Sequence, residues 1–119
     1  MQQSLYVLQV SFKFELEKVT REFEAIGRAI GGWHRPAMHG RKSVAFVIVS
    51  KHTQEEVIDR LRPILDDMNA INNYWCFRAP VAVESKYGAI DPMTSRIREG
   101  WDRIRQGRES EYLRKPQRW

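Results

Sequence analysis

Three histidines, one cysteine and an adjacent pair of aspartates are the side chains here best suited to hold a metal ion or attack a bond. Their spacing argues against both roles. His34 and His39 find no further ligand at a spacing that would close a zinc site, and the carboxylates are scattered. Asp66-Asp67 falls at the C-terminal end of an expected helix, where exposed acids are ordinary, and no third oxygen ligand lies near in sequence. Cys76 stands in an apolar run and reads as a small core residue. A Cys-His dyad would need His34 or His39 to reach it across a sheet. Gly27, Gly31 and Gly32 follow a helix rather than a strand, so they form no phosphate loop. The expectation is therefore no catalytic residue, no metal, no cofactor and no enzymatic activity.

Arginine and the aromatic residues carry the more informative pattern. The net charge is +5, and the stretch from Arg96 to Trp119 holds eight basic and four acidic residues, so +4 of it lies there. Seven of those eight are Arg, whose planar fork suits phosphate or carboxylate better than the point charge of Lys. Arg96, Arg103, Arg108, Arg114 and Arg118 are candidate contacts for an anionic partner. Trp33 with Arg35, and the turn Arg41-Lys42, are further candidates. Aromatic rings on a four-stranded sheet beside Arg are the physical design of single-strand platforms, where bases stack on π-faces. The alternative weighed for Tyr74-Trp75-Cys76-Phe77 is that one alternate pair fills the core and the other a dimer interface, and it is favoured.

The elements that position these residues follow from periodicity. Tyr6, Leu8, Val10, Phe12 and Phe14 alternate with Val7, Gln9, Ser11 and Lys13, the pattern of a half-buried strand. Leu16, Val19, Phe23, Ile26 and Ile30 make one helical stripe over 16–30, with Phe23 at its centre and Gly31-Gly32 as its stop. Residues 33–38 read as a second strand, kept to an edge or bulged by Pro36. Val44 to Val49 is a nearly continuous apolar run, the signature of a central strand. Thr53-Gln54-Glu55-Glu56 is a capping box opening a helix over 54–68, in which Pro63 should cause a kink or a split. Asn72-Asn73 reads as a turn, Tyr74 to Val83 as the fourth strand interrupted by Pro80, and 85–89 as a loop. Asp91-Pro92 should start a third helix ending near Gly107, with Met93, Ile97, Trp101 and Ile104 docking on the protein or on a dimer mate.

That order predicts an α+β fold, a ferredoxin-like βαββαβ sandwich with an antiparallel four-stranded sheet and two helices on one face. It would occupy residues 1–83, and 84–119 would add a loop, an amphipathic helix and a basic tail. A chain of 119 residues has room for one modest core and gains from dimerisation. A single cysteine excludes an internal disulfide, and no apolar stretch approaches the ~20 residues that span a bilayer. With no signal-peptide pattern at the N-terminus, the expected location is the cytoplasm and no membrane is an expected partner.

The element order, the segment Gly31-Gly32-Trp33-His34 and the run Leu61-Arg62-Pro63-Ile64-Leu65-Asp66 resemble the SinR-like relatives of the CRISPR spacer-integration nuclease-like family, over roughly residues 5–80. The resemblance implies a ferredoxin-like homodimer, of a kind that in some members acts on or holds nucleic acid. Metal-dependent members carry an Asp at the end of the first strand, where this chain has Gln9-Val10-Ser11-Phe12-Lys13, so no magnesium- or manganese-dependent nuclease activity is expected. The leading expectation is a non-enzymatic homodimer that binds DNA or RNA. The alternatives are a module that docks on a protein partner through its C-terminal helix, and a small nuclease of the family just named.

Overall fold

In the computed structural model the described residues are 3–38, 40–79 and 92–114, with side chains as far as 107. The fold is α+β. Strand β1 (Ser4–Phe12) leads through a 3-10 turn (Leu16–Lys18) into helix α1 (Thr20–Ile30). Strands β2 (His34–Met38) and β3 (Ser43–Ser50) follow, then α2 (Gln54–Asp66), β4 (Ile71–Arg78) and α3 (Pro92–Arg114). The four strands form one sheet in the order β2-β3-β1-β4, with every neighbouring pair antiparallel.

Local chemistry explains most of these boundaries. Gly31 closes α1 at φ 76°, a conformation that costs a residue without Cβ nothing. The Thr53 hydroxyl accepts from the Glu56 amide at 3.2 Å, and the Thr53 amide donates to the Glu56 carboxylate at 3.3 Å, so the capping box forms as expected. This reciprocal bonding holds the Glu56 carboxyl below its ordinary value, chiefly through the Thr53 amide and then through the Thr53 side chain and the His52 ring. Pro63 does not split α2, which runs unbroken past it. The ring sits on the exposed side, where a freed carbonyl can turn to water. Asn72-Asn73 is the start of β4 rather than a turn, and Phe14 lies beyond the end of β1, half exposed. Residues 80–83 of the expected fourth strand, the 85–89 loop, Asp91 and His39 lie outside the described residues.

One face of the sheet follows the expectation. Tyr6, Leu8, Val10 and Phe12 of β1, with Val44, Phe46 and Ile48 of β3, bury against Val19 just before the first helix, Ile26 and Ile30 on it, and Val57, Leu61 and Leu65 on the second. Phe23 packs at the edge of this core, its ring centroid 5.2 Å from that of Phe46.

The opposite face departs from a sheet with helices on one side only. Leu5, Val7, Ala45, Val47 and Val49 are buried there beneath Ile97 and Ile104 of α3, with Trp33, Met93 and Trp101 around them. The third helix thus docks on the chain's own sheet, and β1 and β3 are apolar on both faces. It runs past Gly107 because glycine in a helix costs only about 1 kcal/mol against Ala, and close approach gives Gly100 a use. A Cβ on Gly100 would stand 2.5 Å from a Leu5 methyl, and one on Gly107 would stand 3.4 Å from the Gln3 side-chain oxygen. We expect Gly100→Val to destabilise by about 1–3 kcal/mol through overpacking against Leu5. A denaturation midpoint equal to or above the parent's would mean that the helix rides higher on the sheet than this contact requires.

Coverage by α3 stops short of β4. Tyr74 and Cys76 face the first core, whereas Trp75 and Phe77, 44% and 37% exposed, share the other face with Val7 and Gln9.

Candidate nucleic-acid interface

Two ends of the β2–β3 hairpin bring the expected basic residues to different places. At one end Arg41 and Lys42 form the turn. Their carbonyls accept from the Leu16 and Phe12 amides at 2.9 and 2.8 Å, so the backbone is anchored while both side chains stay exposed. Glu15 and Glu17 share a depression with Arg41, which makes that end a poor seat for a phosphate.

At the other end Trp33, Arg35, Arg96 and Arg103 converge. The Arg35 guanidinium lies 4.9 Å from the Trp33 ring centroid, a cation–π contact, and its Nη1 donates to the His34 carbonyl at 2.9 Å. Glu99 stands between Arg35 and Arg96, at 3.4 and 3.0 Å, and Arg96 Nε also donates to the Pro36 carbonyl at 3.3 Å. Two of the expected contacts are therefore clamps that fasten α3 to edge strand β2, sharing the single carboxylate of Glu99. Arg103, one turn beyond Glu99, is exposed and makes no ion pair among the described residues. The side chains of Arg108 and Arg114, and all of Arg118, lie outside the described residues.

Arg103 and Trp33 also wall a cleft of about 350 Å³ at this end of the sheet, where β3 runs into α2 and α1 turns towards β2. Ile30, Ile48, Val57 and Leu61 give it an apolar floor. Lys51, His52 and Arg60 complete the rim, and no carboxylate lines it among the described residues. Lys51 and Arg60 make no ion pair among the described residues, and both are exposed. The Arg60 guanidinium sits over the α1 terminus, 3.4 Å from where a Gly31 Cβ would be. His52 is tied to its own helix, with Nδ1 3.2 Å from the Glu56 carboxylate. Three cations from three separate elements thus border one concavity with an indole in its wall. Sequence reasoning picked out Trp33 and Arg103 but missed Lys51 and Arg60. Lys51 only precedes a capping box, and Arg60 lies on the polar side of an amphipathic helix, so neither carries a local signal.

The reactive candidates are dispersed. His34 is tucked beside Gly27, its Nδ1 2.9 Å from the Gly32 carbonyl and its ring 6.3 Å from that of Phe46. Cys76 is on β4, the opposite edge of the sheet from β2. Three strand spacings, about 14 Å, separate those edges, so His34 and Cys76 form no dyad. Burial pushes the Cys76 thiol up to about 11, which keeps it protonated and weakly nucleophilic near neutrality. Asp66 accepts from the Tyr74 hydroxyl, tying the end of α2 to β4, and this bond raises the phenol above its ordinary value. The chain matches no protein-family model and no curated protein.

Proposed function

We propose that this protein is a ferredoxin-like, non-enzymatic nucleic-acid-binding protein that holds single-stranded DNA or RNA at the cleft between Trp33, Lys51, Arg60 and Arg103. The observation that carries the reading is the lining itself, which among the described residues holds three cations without ion-pair partners, an indole and no carboxylate. Single-strand sites combine cations that track phosphates with aromatic faces that take bases. A duplex face would need a broader, flatter basic surface than a cleft of about 350 Å³. The ferredoxin-like part of the reading is supported by the βαββαβ succession and by α1 and α2 sharing one face. The non-enzymatic part is supported by β1, which ends in Ser11-Phe12 with Ser43 and Asn73 as Ser11's cross-strand neighbours, so no carboxylate stands there. Fluorescence polarisation of a labelled single strand across a salt series tests the binding. Affinity should fall steeply with salt, because neutralised phosphates release their counterions, and a duplex of the same sequence should bind more weakly. Salt-independent binding, or none, removes the reading.

Two copies of the chain are proposed to meet along β4. Its outer edge has no neighbouring strand among the described residues, and Trp75 and Phe77 lie exposed beside it, beyond the reach of α3. Sedimentation at micromolar concentration should give a dimer, and Trp75→Ser with Phe77→Ser should give a monomer of unchanged fold. A parent protein that sediments as a monomer refutes this arrangement. The module that docks through its third helix is less favoured, since Ile97 and Ile104 are buried against the chain's own strands.

A further inference from the structure

We infer that the cleft recognises a phosphomonoester, the charged end of a strand or a free nucleotide, rather than the phosphodiesters along a strand; the inference rests on the nucleic-acid reading above. A chain of diesters carries one charge per phosphate and is best tracked by cations spread along a groove. Here the cations are gathered instead. Lys51 comes from the β3–α2 turn, Arg60 from α2 and Arg103 from α3, and all three border a single concavity. Their summed charge suits a group that is close to a dianion at neutral pH, as a monoester with its second pKa near ~6 is.

The volume fits the same ligand. About 350 Å³ is the lower end of small-molecule sites, room for one nucleotide and not for several. The floor of Ile30, Ile48, Val57 and Leu61 offers a sugar or base an apolar surface, and Trp33 offers it a ring. Arg35 already lies over the indole at 4.9 Å, which fixes the ring's pose. The neighbouring groove, which shares Trp33 and Arg103, contains Glu99 and Asp102. Both carboxylates are paired with arginines, Glu99 with Arg35 and Arg96 and Asp102 with Arg105, so that groove offers a phosphate fewer open cations than the cleft does.

The test uses the full chain and three internally labelled single strands of one sequence: one with a 5′-phosphate, one with a 3′-phosphate and one with hydroxyls at both ends. One of the phosphorylated strands should bind about tenfold more tightly than the hydroxyl strand, the worth of charge-assisted hydrogen bonds to the added charge. Arg60→Gln should reduce that ratio to near one while circular dichroism and the denaturation midpoint stay unchanged, since Arg60 is exposed. Competition by adenosine 5′-monophosphate separates the two sources. Displacement as effective as that by the phosphorylated strand assigns the site to a free nucleotide, and weaker displacement assigns it to a strand end; either outcome supports the inference. Equal affinity for all three strands, with the steep salt dependence intact, overturns end recognition and leaves strand binding standing. Failure of all three strands to bind overturns both.

Discussion

Phe46→Ala should cost about 3–5 kcal/mol, the usual range for emptying a large aromatic from a closed core. Phe46 lies at the middle of β3, 1% exposed, with Leu8 as its partner on β1 and Pro36 as its partner on β2. Its ring meets Phe23 from α1 at 5.2 Å and the His34 ring at 6.3 Å. The side chain therefore joins three strands to the first helix, and nothing adjacent can swing in to refill the space without abandoning its own contacts. Phe23→Ala should cost roughly half as much, because Phe23 is only part-buried at the edge of the same cluster. Equilibrium urea denaturation with an unchanged slope measures both. A loss below about 1 kcal/mol for Phe46, or a larger loss for Phe23 than for Phe46, would contradict the placement of the core.

How much of this was legible in the residues differs from element to element. The capping box at Thr53 and Glu56, the Gly31 stop and the stripe Val19–Ile26–Ile30 are local signals, read within one turn of chain, and each has its expected structural counterpart. Pro63 leaves α2 unsplit because its ring lies on the exposed side, and which side of a helix a residue faces is a tertiary property. Covering of the sheet's second face was written in β3 and β1 all the same. Val44 to Val49 does not alternate, and Leu5 and Val7 are apolar on the side opposite Tyr6 and Leu8. Strands with that pattern need cover on both faces, and α3 supplies it. The landing point was harder to foresee. Gly107 reads as a stop although α3 runs through it, and the use of Gly100 emerges only once the Leu5 side chain is placed beside it.

The site was less legible than the fold. Arg35 and Arg96 were conspicuous in sequence and prove to be joined to Glu99, an acid three positions along α3 from Arg96. Arg103 was singled out with them, but Lys51 and Arg60 were not, because what makes them notable is convergence from elements distant in sequence. Charge density along a chain identifies a basic segment. Which cations remain available depends on where their nearest carboxylates fold to.

Removing the three cleft cations together is the second change of large expected effect. Lys51→Gln, Arg60→Gln and Arg103→Gln in one chain should lower affinity for a single strand by about a hundredfold at low salt, and should reduce the slope of log affinity against log salt by about 0.7. The cleft has room for one nucleotide and so for one phosphate, and each phosphate contact on a single strand releases about 0.7 counterions. All three side chains are exposed and without ion pairs among the described residues, so circular dichroism and the denaturation midpoint should match the parent's. Arg41→Gln with Lys42→Gln, at the far end of the hairpin beside Glu15 and Glu17, removes two charges against three and serves as the control, which should change affinity little. The decisive measurement is the salt slope of the triple variant set against the parent and this control. The account predicts a slope lower by about 0.7 for the triple variant alone. A triple variant with the parent's affinity and slope, or a control that loses as much as the triple variant, would contradict it.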